Sequence, residues 1–129
     1  MLLIPYTLQA GPFGLGLHTV NPLMAGEVVY RMVPALLLTL SDEAVRQWPQ
    51  EVQERFRRHA YRGQGPDRLT DAFYYNADDS RFMNHAPTPS LRAIGQGQVY
   101  VAARDLPAGA ELTCDYADFA QRGEACFNF

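Results

Sequence analysis

The sequence predicts a mainly β domain interrupted by one short helical insertion. Three observations carry this. Residues 1–40 alternate short apolar runs with Gly and Pro, residues 41–60 switch to helical patterning, and strand-like aromatic and β-branched runs return after residue 70.

Taken in order, "LLIPYTL", "AGPFGLGLHT", "NPLMAGEVVYRM" and "PALLLTL" read as short strands separated by turns, because Gly and Pro break them before a helical period can build. "SDEAVRQW" then opens with a Ser suited to cap a helix and acids suited to its first turn. Pro49 interrupts, and "PQEVQERFRRHAY" restarts with Pro at a tolerated first-turn position. Val52, Phe56 and Ala60 fall at i, i+4 and i+8, which predicts one buried stripe. "RGQGPDR" is a loop, and "LTDAFYYN" is strand-like through its aromatics. Further on, "QVYVAA" and "ELTCDY" predict two strands joined by the Pro-Gly turn "DLPAGA". Strand alternation puts Leu112, Cys114 and Tyr116 on one face. No internal repeat or low-complexity segment is present.

A chain of 129 residues fits one domain, residues 1–129, with 41–70 as the helical insertion and 117–129 as a closing segment. No apolar run reaches the roughly 20 residues of a membrane span, and "MLLIPYTLQAG" lacks the basic start of a secretory signal. An intracellular, cytoplasmic protein is the expectation. Cys114 and Cys126 are too few for a disulfide framework or a four-ligand zinc site. With three His and no HxxxH or HxH spacing, no metal is expected. The net charge of -3 argues against direct nucleic-acid binding by counterion release and mildly favours a basic partner. All 11 basic residues are Arg, so the chain offers no side-chain lysine at all.

Three stretches carry the types of residue that chemistry needs. "GPFGLGLHT" holds Gly11, Gly14 and Gly16, which allow close backbone approach, but no helix follows to make a dinucleotide site. "DDSRFMNHAPTP" concentrates acids, Arg81, Phe82, Asn84 and His85; the Asn amide both donates and accepts. "ELTCDY" ends in Tyr116, whose hydroxyl needs a partner if it is buried. Each stretch alone reads equally well as a turn or as core.

Together, in this order and spacing, they resemble a known family. "GLGL", then "AGEVV", then "RFMNHA", then "ARDLPAGAELTCDY" are similar to the motifs of the SET-domain protein lysine methyltransferases, over residues 11–116. The usual forms are GxG with a hydrophobic pair, RFxNHSCxPN and ARDIxxGEELTxDY. This chain departs at Ala86 for Ser, Pro87 for Cys, Ser90 for Asn and His18 for an apolar residue, and it lacks the cysteine cluster that binds zinc after the domain. The resemblance implies a β-clip, SET-like fold with a knot-like crossing near the C-terminus that brings Asn84 to Tyr116. It implies methyl transfer from S-adenosylmethionine to the side-chain amine of lysine in a protein, histone-like or ribosomal proteins among the candidates, without a membrane and with homodimerisation allowed.

What the resemblance assigns to residues is specific. Tyr116 is the expected catalytic residue. Gly14, Leu15, Gly16, Arg81, Phe82, Asn84, His85 and Phe119 are expected at the cofactor, with His85 a structural and backbone contributor rather than a base. Tyr74, Tyr75 and Tyr30 are expected in an aromatic substrate channel, since rings attract ammonium and sulfonium groups. Phe119, Phe127 or Phe129 is expected to close the site in place of zinc. A competing reading comes from "VAARDLPAGAELTCDY", which also resembles the non-catalytic SAF-type β-clip modules; "RFMNH" is the stretch those modules have no reason to carry. A SET-like domain that only binds a peptide is the third.

Overall fold

The computed structural model describes residues 1–63 and 69–121. The predicted N-terminal strands form. Strand β1 (Tyr6–Gly11) folds back on β2 (Gly14–Thr19), followed by β3 (Val28–Arg31), a 3₁₀ turn at Pro34–Leu36 and β4 (Leu37–Ser41). Two short helices come next, α1 (Asp42–Arg46) and α2 (Gln50–Arg57). Strand β5 (Ala72–Asn76) precedes a 3₁₀ turn at Asp79–Phe82. The remaining strands are β6 (Asn84–His85), β7 (Leu91–Ile94), β8 (Val99–Ala102) and β9 (Glu111–Cys114). The loop "RGQGPDR" lies largely outside the described residues, as do Cys126, Phe127 and Phe129.

The described residues form three small sheets, ordered β1-β2-β9-β6, β3-β8-β7 and β4-β5. Among them all strand pairings are antiparallel but one. Strand β6 runs parallel to β9, with Asn84 opposite Thr113 and His85 opposite Cys114. The Ala86 N–H continues the pairing to the Cys114 carbonyl at 3.1 Å. A parallel neighbour needs a long connection, and the β7–β8 hairpin lies within it. The segment bearing the Asn-His pair thereby lies along the strand that leads to Tyr116, the contact that the expected crossing required.

The main core fills the space between the first two sheets. Leu17, Leu112, Val29 and Leu91 are almost wholly buried there, each removal from water worth about 1.5–3 kcal/mol. Ser90 locks this region. Its hydroxyl accepts from the Thr113 N–H at 2.9 Å and donates to the Glu111 carbonyl at 2.8 Å, while its N–H donates to the Thr113 hydroxyl. The small polar side chain in place of Asn therefore still ties the segment after the Asn-His pair to β9. Ser90→Ala leaves the buried Thr113 amide without that acceptor, a loss of about 1–3 kcal/mol. The expected fall in melting temperature is roughly 4–10 °C, read by circular dichroism.

The insertion packs as a satellite on the β4–β5 hairpin. Ser41 caps α1 through its hydroxyl, which accepts from the Ala44 N–H, as its sequence position suggests. Pro49 is the residue before α2 rather than its first residue. The predicted stripe needs correction: α2 ends at Arg57, so Ala60 lies beyond it, and Val52 is 47% exposed. A helix of two turns has room for one anchor, Phe56, which sits edge-on to Trp48 and Phe73 and stacks on Tyr75. No helix among the described residues is long and apolar enough to cross a membrane.

Candidate active site

Two hollows meet at one tyrosine. The first is a broad cleft bordered by Gly14, Leu15, Phe82, Asn84, His85, Glu111 and Tyr116. The second is a smaller aromatic cavity lined by Tyr30, Tyr61, Tyr100, Tyr116, Phe119 and Met83. His59, Arg81 and Tyr116 border both.

The cleft edge depends on its glycines. Gly14 has φ +94°, in the region L side chains rarely adopt, at the point where β1 turns into β2. Gly16 is buried in β2, and a Cβ there would press on the Glu111 carboxylate and lie 2.9 Å from the Asn84 amide nitrogen. That space is filled by a hydrogen-bonded pair: Asn84 Nδ2 donates to Glu111 Oε1 at 2.9 Å and lies 3.4 Å from the Leu15 carbonyl. Glu111 therefore belongs to the site, although nothing in "ELTCDY" marks it. Its position follows from pairing of β9 beside β2, a long-range contact.

Tyr116 is held at both ends. Its backbone N–H donates to Nδ1 of His85 at 3.1 Å. Its hydroxyl donates to the Met83 carbonyl at 2.8 Å. Burial pushes the phenol well above its ordinary value, and the buried Cys114 adds to this. Tyr116 therefore stays protonated at neutral pH, a fixed dipole rather than a base. The strand reading is corrected here: β9 stops at Cys114, because the Asp115 side chain accepts from the Ala117 N–H and starts a 3₁₀ turn at Tyr116–Asp118. Tyr116 still faces the core that holds Leu112 and Cys114.

His85 thus contributes its imidazole to the shape of the site, not its backbone alone. Phe119 lies in the aromatic cavity rather than the glycine cleft, edge-on to Tyr61 at 4.7 Å and tilted against Tyr116 at 5.7 Å. Tyr30 lines that cavity, opposite Tyr100 in the β3–β8 pairing. Tyr74 and Tyr75 do not. Successive residues of β5 point to opposite faces. Tyr75 therefore packs on Phe56 in the satellite cluster, while Tyr74 stacks behind Tyr61 and accepts from the Leu69 N–H. The lining rings that the sequence did not point to, Tyr61 and Tyr100, sit after a helix and within a strand. No local pattern separates them from ordinary core.

The cleft suits an adenosyl amino acid. Its borders combine apolar faces, Phe13, Leu15, Phe82 and Pro87, with a carboxylate, Glu111, and the guanidinium groups of Arg58 and Arg81. Opposite charges of this kind match an amino acid's ammonium and carboxylate, and apolar walls match a purine. Among the described residues no group of three or more His, Cys, Asp and Glu could hold a metal ion.

The SET domain family profile matches residues 14–117, which include all four motifs that carry the resemblance. No curated protein matches the sequence. Among solved structures, a humanized mutant of Polycomb Repressive Complex 2 from Chaetomium thermophilum, bound to an inhibitor, is 19% identical with a TM-score of 0.61. That match covers 92% of this chain and 16% of that one. An autoinhibited form of the Chaetomium thermophilum complex bound to S-adenosylmethionine is 18% identical with a TM-score of 0.59, over 89% and 15% of the two chains. The chain thus spans about one sixth of the length of these relatives, and the likeness is one of fold.

Proposed function

Because this chain belongs to the SET domain family, we propose that it transfers a methyl group from S-adenosylmethionine to the side-chain amine of a lysine in a protein. The observation that carries the reading is the placement of Tyr116 in the walls of both hollows. A cofactor in one and an amine in the other would meet beside its hydroxyl.

In this reading Asn84, Glu111, Arg81 and the Gly14 to Gly16 edge hold the cofactor, which when bound supplies an electrophilic sulfonium methyl group. The protein's own work is alignment, which can contribute several kcal/mol to a displacement without any metal. The low polarity of the cavity favours the neutral amine, since burial disfavours an ammonium. Tyr116, its proton committed to Met83 and its oxygen also bonded to the His85 backbone, offers a remaining lone pair to an amine N–H and so orients the nucleophile. His85 keeps the Tyr116 backbone fixed while this happens. The substrate class is a lysine-bearing basic protein, with histone-like and ribosomal proteins as first candidates and an intracellular site of action. The slightly acidic chain suits such a partner.

Calorimetric titration with S-adenosylmethionine and radiolabelled transfer onto core histones and ribosomal proteins test the proposal. Binding in the micromolar range and label in lysine of the added protein are expected. The enzyme itself, free of lysine, should gain no label on any side-chain amine. No heat of binding at millimolar cofactor would return the chain to the SAF-type reading, and binding without transfer to any protein would leave a peptide-binding domain.

A further inference from the structure

The methyltransferase reading leaves a proton unaccounted for. A lysine side chain enters water-borne as an ammonium, with an ordinary pKa of about 10.4, and must lose one proton before its lone pair is free. Tyr116 cannot take it, since its own proton is retained and directed at the Met83 carbonyl.

A second tyrosine of the same cavity leads outward. Tyr100 is 3% exposed and lines the cavity. Its hydroxyl lies at the wall, because a Cβ built on the neighbouring lining residue Gly97 would come within 3.3 Å of it. That hydroxyl donates to Oδ2 of Asp118 at 3.1 Å. Asp118 is only half-buried, at the end of the 3₁₀ turn that begins with Tyr116. One hydrogen bond therefore joins the cavity interior to a carboxylate that reaches solvent.

We propose that Tyr100 and Asp118 form the proton exit of the substrate cavity. The step balances as two coupled transfers. An ammonium N–H proton passes to the Tyr100 oxygen as the Tyr100 hydroxyl proton passes to the Asp118 carboxylate. The products are a neutral amine with its lone pair free, an unchanged tyrosine and a carboxylic acid, which then releases its proton to water.

The surroundings suit both partners. Burial holds the Tyr100 phenol far above its ordinary value, with Cys114 and Asp118 adding to this, so Tyr100 passes a proton without resting as a phenolate. Burial also raises the Asp118 carboxyl; the Tyr100 hydrogen bond opposes this and Asp115 adds to it. A carboxylate raised in this way is a better transient acceptor. Among the described residues the other titratable or charged groups around the pair are Tyr30 on β3, Cys114 on β9, Tyr116 beside them, and Tyr61, His59 and Arg81 across the cavity. Arg81 is engaged with the Ala77 and Asp78 carbonyls, and burial lowers the His59 imidazole, which keeps it neutral.

The test is the pH dependence of kcat/KM from pH 6 to 10 for the wild type, Asp118→Asn, Asp118→Glu and Tyr100→Phe, on the protein that accepts methyl groups in the assay above. Cofactor affinity is measured in each to confirm an intact fold. At pH 7, Asp118→Asn and Tyr100→Phe should lose about a hundredfold. The deficit should close towards pH 10, where the amine arrives neutral, and Asp118→Glu should recover most of the rate. A loss that is constant across pH, or no loss at all, would overturn the proton exit while leaving the methyltransferase reading intact. Absence of methyl transfer by the wild type would overturn both.

Discussion

Tyr116→Phe lowers methyl transfer by about two to three orders of magnitude while S-adenosylmethionine binding stays within about twofold of the wild type. The hydroxyl donates to the Met83 carbonyl, also interacts with the His85 backbone, and sits where the two hollows join. Its removal leaves the bond from the Tyr116 backbone N–H to the His85 ring untouched, so the turn and the glycine cleft persist. What goes is an oriented oxygen beside the reacting amine, and such pre-positioned dipoles act mostly on kcat rather than on binding. The orphaned Met83 carbonyl costs some stability, so melting temperature is measured alongside. Initial rates with saturating cofactor, and calorimetry on the same preparations, decide the matter. Equal rates in the two proteins would remove Tyr116 from the mechanism.

Gly16→Val weakens cofactor binding by at least about tenfold, and Gly16→Ala does so by less. The reason is the closeness of the Asn84–Glu111 pair, into which any side chain at residue 16 must grow. Both neighbours are side-chain ends and can swing away, so the strand survives. In swinging they break their hydrogen bond and leave the cleft wall where ligand would lie. A lost hydrogen bond to a charged group is worth about 1.5–3 kcal/mol, and 1.4 kcal/mol is a factor of ten. Calorimetric titration gives the dissociation constant directly. Unchanged affinity in Gly16→Val would place the cofactor elsewhere.

The motif departures find their physical meaning in the core. Ala86 keeps its backbone bond to Cys114, and Ser90 takes two bonds to β9, so the segment stays anchored without its customary side chains. The charged acceptor Glu111 and the ring nitrogen of His85 carry the polar links around the glycine cleft and the tyrosine turn.

The sequence by itself determined the strand and turn pattern, the capped helix at Ser41, the order of the motifs and hence the family. These rest on local chemistry: Gly and Pro break the chain, alternation sets strand faces, and a short run such as "RFMNH" is specific in itself. Which aromatic rings wall the cavity was decided only in three dimensions. Tyr30 and Tyr100 face each other because β3 pairs with β8, Tyr61 enters from within the insertion just past α2, and Tyr75 turns away because alternation along β5 gives it to the satellite cluster. The partners of Asn84, His85 and Tyr100 are likewise 27, 31 and 18 residues away in sequence. Side-chain hydrogen bonds over such separations depend on sheet register, and register is a property of the whole fold rather than of any stretch within it.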